Sequence, residues 1–465
     1  MKKKHLLFVA AILIVTVLIS GCSTDTNAPG GETSGPRTNI NIPLDSIGNT
    51  MDVHATTLRV DSAVTRQFAE GLFHIEDDGT VTPRLAEDYT VSDDGTVYTI
   101  KLHEGVKFHN GDELKASDVV WNFQRCIDNM HRWQYVQDII EIKALDDNTV
   151  EMTLQAPSSI FLYNLAQVQI VSEKVVTELG DMYGSVVADT GTGPYRMTKY
   201  DQNTEILLEA FPEYWRGEAE IKNIKFVPMT DSSTQLIAFE NGEFDFAQIP
   251  TADWEALVAT DKFTTIKAPG LHQSYIGINV GKDSPIANEK VRQAIGYAMD
   301  KESMVAIATD GFADVADYMM RPGYLEGAVD HGKFYTYNPE KARELLVEAG
   351  YPNGFDLGVI EAITSANGRY VKIAEVLEQN LADIGITSKI ERGETASMLP
   401  AWKTDRKYDI FVSGFTPTFS YYEFKGYVYS EMDLQVQLNY NDDIDIAFID
   451  ESFDKGITEL DDDKR

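Results

Sequence analysis

The chain has 465 residues, too many for one compact core, and its 43% apolar and 10% aromatic content is enough to build two or three. Lys and Arg number 40 against 74 Asp and Glu, a formal net charge of −34. That balance excludes a nucleic-acid-binding role, which needs cations to neutralise phosphates, and disfavours docking onto anionic lipid; its plainest consequence is solubility.

The N-terminus has the layout of a secretory signal. Lys2, Lys3 and Lys4 precede Leu6–Ile19, a run interrupted in its apolar character only by Thr16 and shorter than a spanning helix needs. Ser20-Gly21-Cys22 follows, and Leu18–Cys22 resembles the lipobox at which bacterial lipoproteins are cleaved and acylated on the cysteine. A signal peptide over residues 1–21 and a lipid on Cys22 would anchor the protein to a membrane without spanning it. Residues 22–37 read as lipidated Cys plus tether: Ser23–Pro36 is small, polar and rich in Gly and Pro. Fully extended, the tether would reach about 45–50 Å. The second cysteine, Cys126, sits among Val119, Val120, Phe123, Ile127 and Met130 at helical spacing and is expected in a core. With Cys22 acylated, no internal disulfide is available.

Further along, Tyr98, Ile100 and Leu102 alternate, as do Val150, Met152 and Leu154, behind the turns Asp93-Asp94-Gly95 and Asp146-Asp147-Asn148. An antiparallel or mixed meander follows from this pattern, with a helix capped by Ser117. Gly191-Thr192-Gly193-Pro194-Tyr195 cannot be regular structure, and no Lys-Ser or Lys-Thr follows to make it a phosphate loop, so it reads as a structural turn.

The second half alternates helix and strand. Val291, Ala294, Ile295, Ala298 and Met299 form one helix face; Asn338 and Pro339 begin a helix that Gly350 ends. Another helix carries Tyr370, Ile373, Ala374, Leu377, Leu381 and Ile384, up to Gly385. Strands are expected over Phe355–Ile363, Thr387–Glu391 and Tyr408–Phe415, making a parallel or mixed sheet covered by helices.

The stretch from Glu70 to Arg125, EGLFHIEDDGTVTPRLAEDYTVSDDGTVYTIKLHEGVKFHNGDELKASDVVWNFQR, is similar to solute-binding family 5 of ATP-driven (ABC) importers. These are the extracytoplasmic oligopeptide, dipeptide and nickel-complex binding proteins. The likeness continues through TGTGPY (Thr190–Tyr195), NGEFD (Asn241–Asp245), VRQAIGYAMDKESMV (Val291–Val305) and YNPEKARELLVEAGYPNGF (Tyr337–Phe355), with a weaker echo in YDIFVSGF (Tyr408–Phe415). The order of these pieces, more than any one of them, carries the resemblance.

The resemblance implies an α/β fold of the two-lobed periplasmic-binding-protein type (class II), with an extra α+β domain inserted in the first lobe. Residues 38–78 and 189–273 would form the first lobe, 79–188 the inserted domain and 274–465 the second lobe. The family's C-terminal return to the first lobe is expected to be missing here, with some loss of stability and of closure. Solute would bind between the lobes as they close about a hinge, and a monomer would hand it to permease and ATPase subunits.

For the site, the resemblance points to the segment after Tyr408–Phe415. Phe415 stands where relatives commonly carry Trp, and Thr418 stands where peptide binders place the acid that pairs with the α-ammonium. Trp402, Phe415, Phe419, Tyr421 and Tyr422 could stack on a sugar, an amine or a peptide side chain, or could be core. The ligand-binding candidates are therefore Phe415, Thr418, Tyr421, Trp402 and Glu70. A peptide is the first expectation for the solute; a sugar, an amine or a metal chelate, or a sensing rather than transporting role, are the alternatives. No HExxH motif or tight His cluster points to a metal, His103 and His109 read as structural or exposed, and no cofactor is expected. Neither GxSxG, a GxGxxG opening a helix, nor CxxC occurs, so no catalysis is expected.

Overall fold

The computed structural model describes residues 37–56, 59–268, 270, 272–281, 283–317, 332, 334–364, 368–394, 397–398, 402, 408–416, 445–461 and 464. Residues 1–36, where a signal peptide, an acylated Cys22 and a tether are expected, lie outside these residues. Among the described residues no helix is long and apolar enough to cross a membrane.

Three four-stranded sheets, each with its own buried cluster, divide the described residues. The first joins β1 (Asn39–Leu44), β8 (Tyr195–Asp201), β9 (Glu205–Ala210) and β10 (Asn223–Pro228) in the order β1-β10-β9-β8. Its cluster runs from Met51 and Val53 through Phe68 to Ile206, Leu208 and Phe226. The small ladder β2 (Phe73–Ile75) and β3 (Val81–Pro83) leads into the second sheet. There β4 (Ala86–Val91), β5 (Val97–Leu102), β6 (Ile139–Ala144) and β7 (Thr149–Leu154) run β4-β5-β7-β6. The pairing is all antiparallel, within what was expected, but the order is not a meander, because the chain crosses from β5 past β7 to the edge strand β6 and then turns back between them. Its cluster holds Ile100, Phe123, Cys126 and Met152, and it also takes in Leu72 and Phe73 ahead of Gly79.

The third sheet is mixed, one of the two arrangements the alternating pattern left open. β11 (Gln273–Ile278) pairs antiparallel with β14 (Ile410–Phe415); β14 and β13 (Ile386–Gly393) flank β12 (Phe355–Ile363) in parallel. The helices Glu289–Ala298, Pro339–Glu348 and Arg369–Asp383 bury Ala294, Leu346 and Leu377 against it.

The local signals work in physical terms. The Asn338 side chain accepts from Lys341 N, Pro339 takes the first helical position, and Gly350 turns the chain at φ 92°. One cap differs: the helix expected at Ser117 spans Ala116–Asp128 with Lys115 before it. The Asp118 carboxylate accepts from Lys115 N at 2.9 Å, so an acid three residues on anchors the entry instead of Ser117.

The GTGPY turn is a cap made by another segment. Gly193 N donates to Phe68 O (3.0 Å), the last carbonyl of the helix Arg59–Phe68. A Cβ on Gly191 would stand 1.6 Å from Phe68 O, so glycine is required there by space. His109 seals the turn, its Nε2 lying 2.9 Å from Gly193 O while its N–H donates to Gly191 O (2.8 Å).

A polar clamp joins the first two packing units. Arg125, on the helix Ala116–Asp128, meets Asp52 through both carboxylate oxygens at 3.1 and 2.6 Å and donates to His54 Nδ1 at 2.7 Å. His54 Nε2 then donates to Gln169 O at 2.8 Å. The helix Ile446–Thr458 rests on the middle unit, where Ser159 N donates to Ile457 O at 2.8 Å.

Candidate functional site

Parallel strands present their carboxyl ends together, and ligands of open α/β sheets bind outside those ends. In the third sheet that edge is made by the ends of β12, β13 and β14 and by the start of β11, because Gln273 is paired with Phe415. The helix Arg369–Asp383 begins at the same edge, after β12, with Gly368 in a left-handed conformation before it.

Five side chains converge there. Tyr370, in the first helical turn, places its hydroxyl 3.0 Å from His272 Nε2. His272 Nδ1 lies 3.1 Å from Thr416 Oγ1. Phe415, at the end of β14, is buried and its ring centroid is 5.8 Å from that of Tyr275. The result is an aromatic floor beside a chain of hydroxyl, imidazole and hydroxyl, ending at the exposed Thr416.

The five candidates fall differently. Phe415 is at this edge, and Thr418 and Tyr421 lie outside the described residues. Trp402 is turned into the third core: it is 1% exposed, stacks on Phe411 at 4.4 Å and donates through Nε1 to the Glu361 carboxylate. An aromatic near the cleft in sequence is here a packing residue, because its indole finds both a ring and a carboxylate acceptor.

Glu70 sits between the first two units. Tyr214 O–H donates to its Oε1 at 2.8 Å, while Trp215 Nε1–H and Thr192 O–H donate to its Oε2 at 3.0 and 3.1 Å. Burial pushes the Glu70 carboxyl above the ordinary range, against these three donors and the nearby Arg84 charge. The threonine of GTGPY is thus one of the donors that hold Glu70.

His272, Tyr370 and Thr416 were not singled out by the sequence. In the sequence Tyr370 belongs to a helix stripe, and 98 residues separate it from His272. One signal was present: Gly414 inside a strand, a sign of close approach by another group. A Cβ there would lie 2.5 Å from His272 Nε2 and 2.6 Å from the Tyr370 hydroxyl. Among the described residues no group of three His, Cys, Asp or Glu could hold a metal ion.

The family model described as bacterial extracellular solute-binding proteins, family 5 Middle, matches residues 80–429. The chain is 33% identical over 359 residues to the glutathione-binding protein GsiB of Pectobacterium atrosepticum, covering 75% of this chain and 68% of that one. Among solved structures it is similar to the periplasmic binding protein DppA of Helicobacter pylori in complex with the peptide STSA. The TM-score there is 0.73 and the identity 25%, over 92% of this chain and 88% of that one. It also shares the fold of NikA from Brucella suis in complex with Fe(III)-EDTA, with TM-score 0.80 and 23% identity over 91% and 88% of the two chains.

The fold is that of the two-lobed binding proteins. The chain belongs to the bacterial extracellular solute-binding proteins, family 5, and is a solute-binding protein of an ABC importer. Members of that family act outside the cytoplasm and are binding proteins, not enzymes.

Proposed function

We propose that this protein captures a short peptide between its lobes, closes on it about a hinge, and delivers it to a membrane permease driven by ATPase subunits. The observation that carries the reading is the gathering of Phe415, Tyr275, His272, Tyr370 and Thr416 at the carboxyl edge of the third sheet. A peptide offers what such an edge can use, backbone carbonyls for hydroxyl donors and side chains for aromatic faces. The relatives support the choice, since glutathione is itself a tripeptide and DppA was solved with a tetrapeptide.

In this reading Phe415, Thr418 and Tyr421 face the solute, while Trp402 and Glu70 act from behind, fixing β14 and the junction of the first two units. The first lobe comprises residues 38–78 and 189–273, the inserted domain 79–188 and the second lobe 274–465; the three buried clusters support this division in outline, although Leu72 and Phe73 pack in the middle cluster and Val171, Val176 and Tyr183 in the first. A lipid on Cys22 and the Ser23–Pro36 tether hold a monomer at the outer face of a membrane.

The test is uptake. A strain lacking the gene should lose import of labelled tripeptides and regain it when the gene is restored. Unchanged import, with loss of a peptide-triggered response instead, would favour a receptor-coupled sensor.

A further inference from the structure

We propose that Thr416 is a specificity-determining hydrogen-bond donor to a carbonyl or carboxylate oxygen of the solute, and that Tyr370 and His272 are positioning residues that aim its proton. The inference rests on the peptide reading above.

The Tyr370 side chain is only 5% exposed, and burial raises the pKa of its phenol, which therefore keeps its proton. Its nearest ring partner is His272 Nε2 at 3.0 Å. A neutral imidazole has one donor nitrogen and one acceptor. With Tyr370 donating to Nε2, the single ring proton sits on Nδ1 and points at Thr416 Oγ1, 3.1 Å away. The Thr416 oxygen then receives a hydrogen bond from behind, so its own proton turns outward, where Thr416 is exposed. Each bond in such a chain polarises the next and strengthens the terminal donor.

Gly414 belongs to the device. It stands between Ser413 and Phe415 in β14, and any side chain would collide with the two groups that meet at His272 Nε2, at 2.5 and 2.6 Å. Gly414 is not among the positive-φ residues, so the need is for room and not for an unusual backbone. A terminal hydroxyl fixed as donor favours an oxygen acceptor and disfavours an ammonium. Peptide carbonyls and the terminal carboxylate are such acceptors.

Two measurements test this. Nitrogen-15 NMR of the histidine rings in the unliganded protein should show His272 as the Nδ1–H tautomer, and Tyr370→Phe should move it toward a mixture. An Nε2–H tautomer in the wild type would overturn the inference without any ligand. Calorimetry with two probes, glutathione and trialanine, then reads the binding step. Thr416→Val, an exposed and nearly isosteric change, should weaken binding by about tenfold, the worth of one hydrogen bond, and Thr416→Ser should restore most of it. If the wild type binds a probe and Thr416→Val binds it equally well, the inference alone falls. If the wild type binds neither, the peptide reading falls and takes the inference with it.

Discussion

The clamp between the first two units predicts a specific loss of stability in mild acid. His54 receives Arg125 on Nδ1 and donates Nε2–H to Gln169 O, so its ring is held neutral in one tautomer. A second proton would have to sit on Nδ1, facing a guanidinium 2.7 Å away. Burial, opposed by the Gln169 carbonyl and reinforced by the Arg125 charge, pushes the His54 pKa from 6.5 down to about 4. The unfolded chain therefore binds this proton first. The stability contribution is intact above the unfolded pKa of 6.5 and is lost as pH falls toward 4. At about 1.4 kcal/mol per pH unit, the loss reaches about 2 kcal/mol near pH 5.

Other groups also titrate in this window, so the assay is a difference. Urea unfolding of the wild type and of His54→Asn, at about pH 7.5 and about pH 5, isolates the one ring. The wild type should lose about 2 kcal/mol more than the variant between the two pH values. Equal losses in both proteins would refute the neutral, clamped His54.

Three further outcomes follow from the same geometry. Arg125→Met should cost about 3–5 kcal/mol, because it strands the Asp52 carboxylate in a site where its side chain is 9% exposed; adding Asp52→Asn should recover part of that loss in a double-mutant cycle of urea midpoints. Gly191→Ala should lower the thermal midpoint sharply, by the equivalent of about 3 kcal/mol or more, since its methyl group would lie 1.6 Å from Phe68 O; an unchanged midpoint would deny that close approach. The Cys126 thiol, fully buried and pushed up to about 12, should stay inert to an aromatic disulfide reagent in the folded protein and react completely in urea.

How far the fold could be read from the sequence depended on the range of the interactions. Helix Pro339–Glu348 was legible because its cap, its first-turn proline and its terminating Gly350 are all local. Strand Phe355–Ile363 was legible for the same reason, as an apolar run between turns. Ser117 misled because Asp118 competes for the same helix entry, and one carboxylate hydrogen bond decides between them.

The site was less legible, because its parts meet only in the folded chain. Phe415 was correctly set at the end of its strand, but periodicity cannot tell an aromatic that faces a cleft from one that faces a core. Trp402 went inward because Phe411 and Glu361, neither adjacent to it in sequence, supply a ring and an acceptor. His272 stands 144 residues from Thr416, and only the pairing of β11 with β14 brings them together.

Native mass spectrometry of the gently purified protein, before and after denaturation, tests peptide capture most directly. A ladder or single mass matching short peptides, released on unfolding, is the predicted result. A released mass with the composition of a sugar, an amine or a metal chelate, and no peptide, would contradict it.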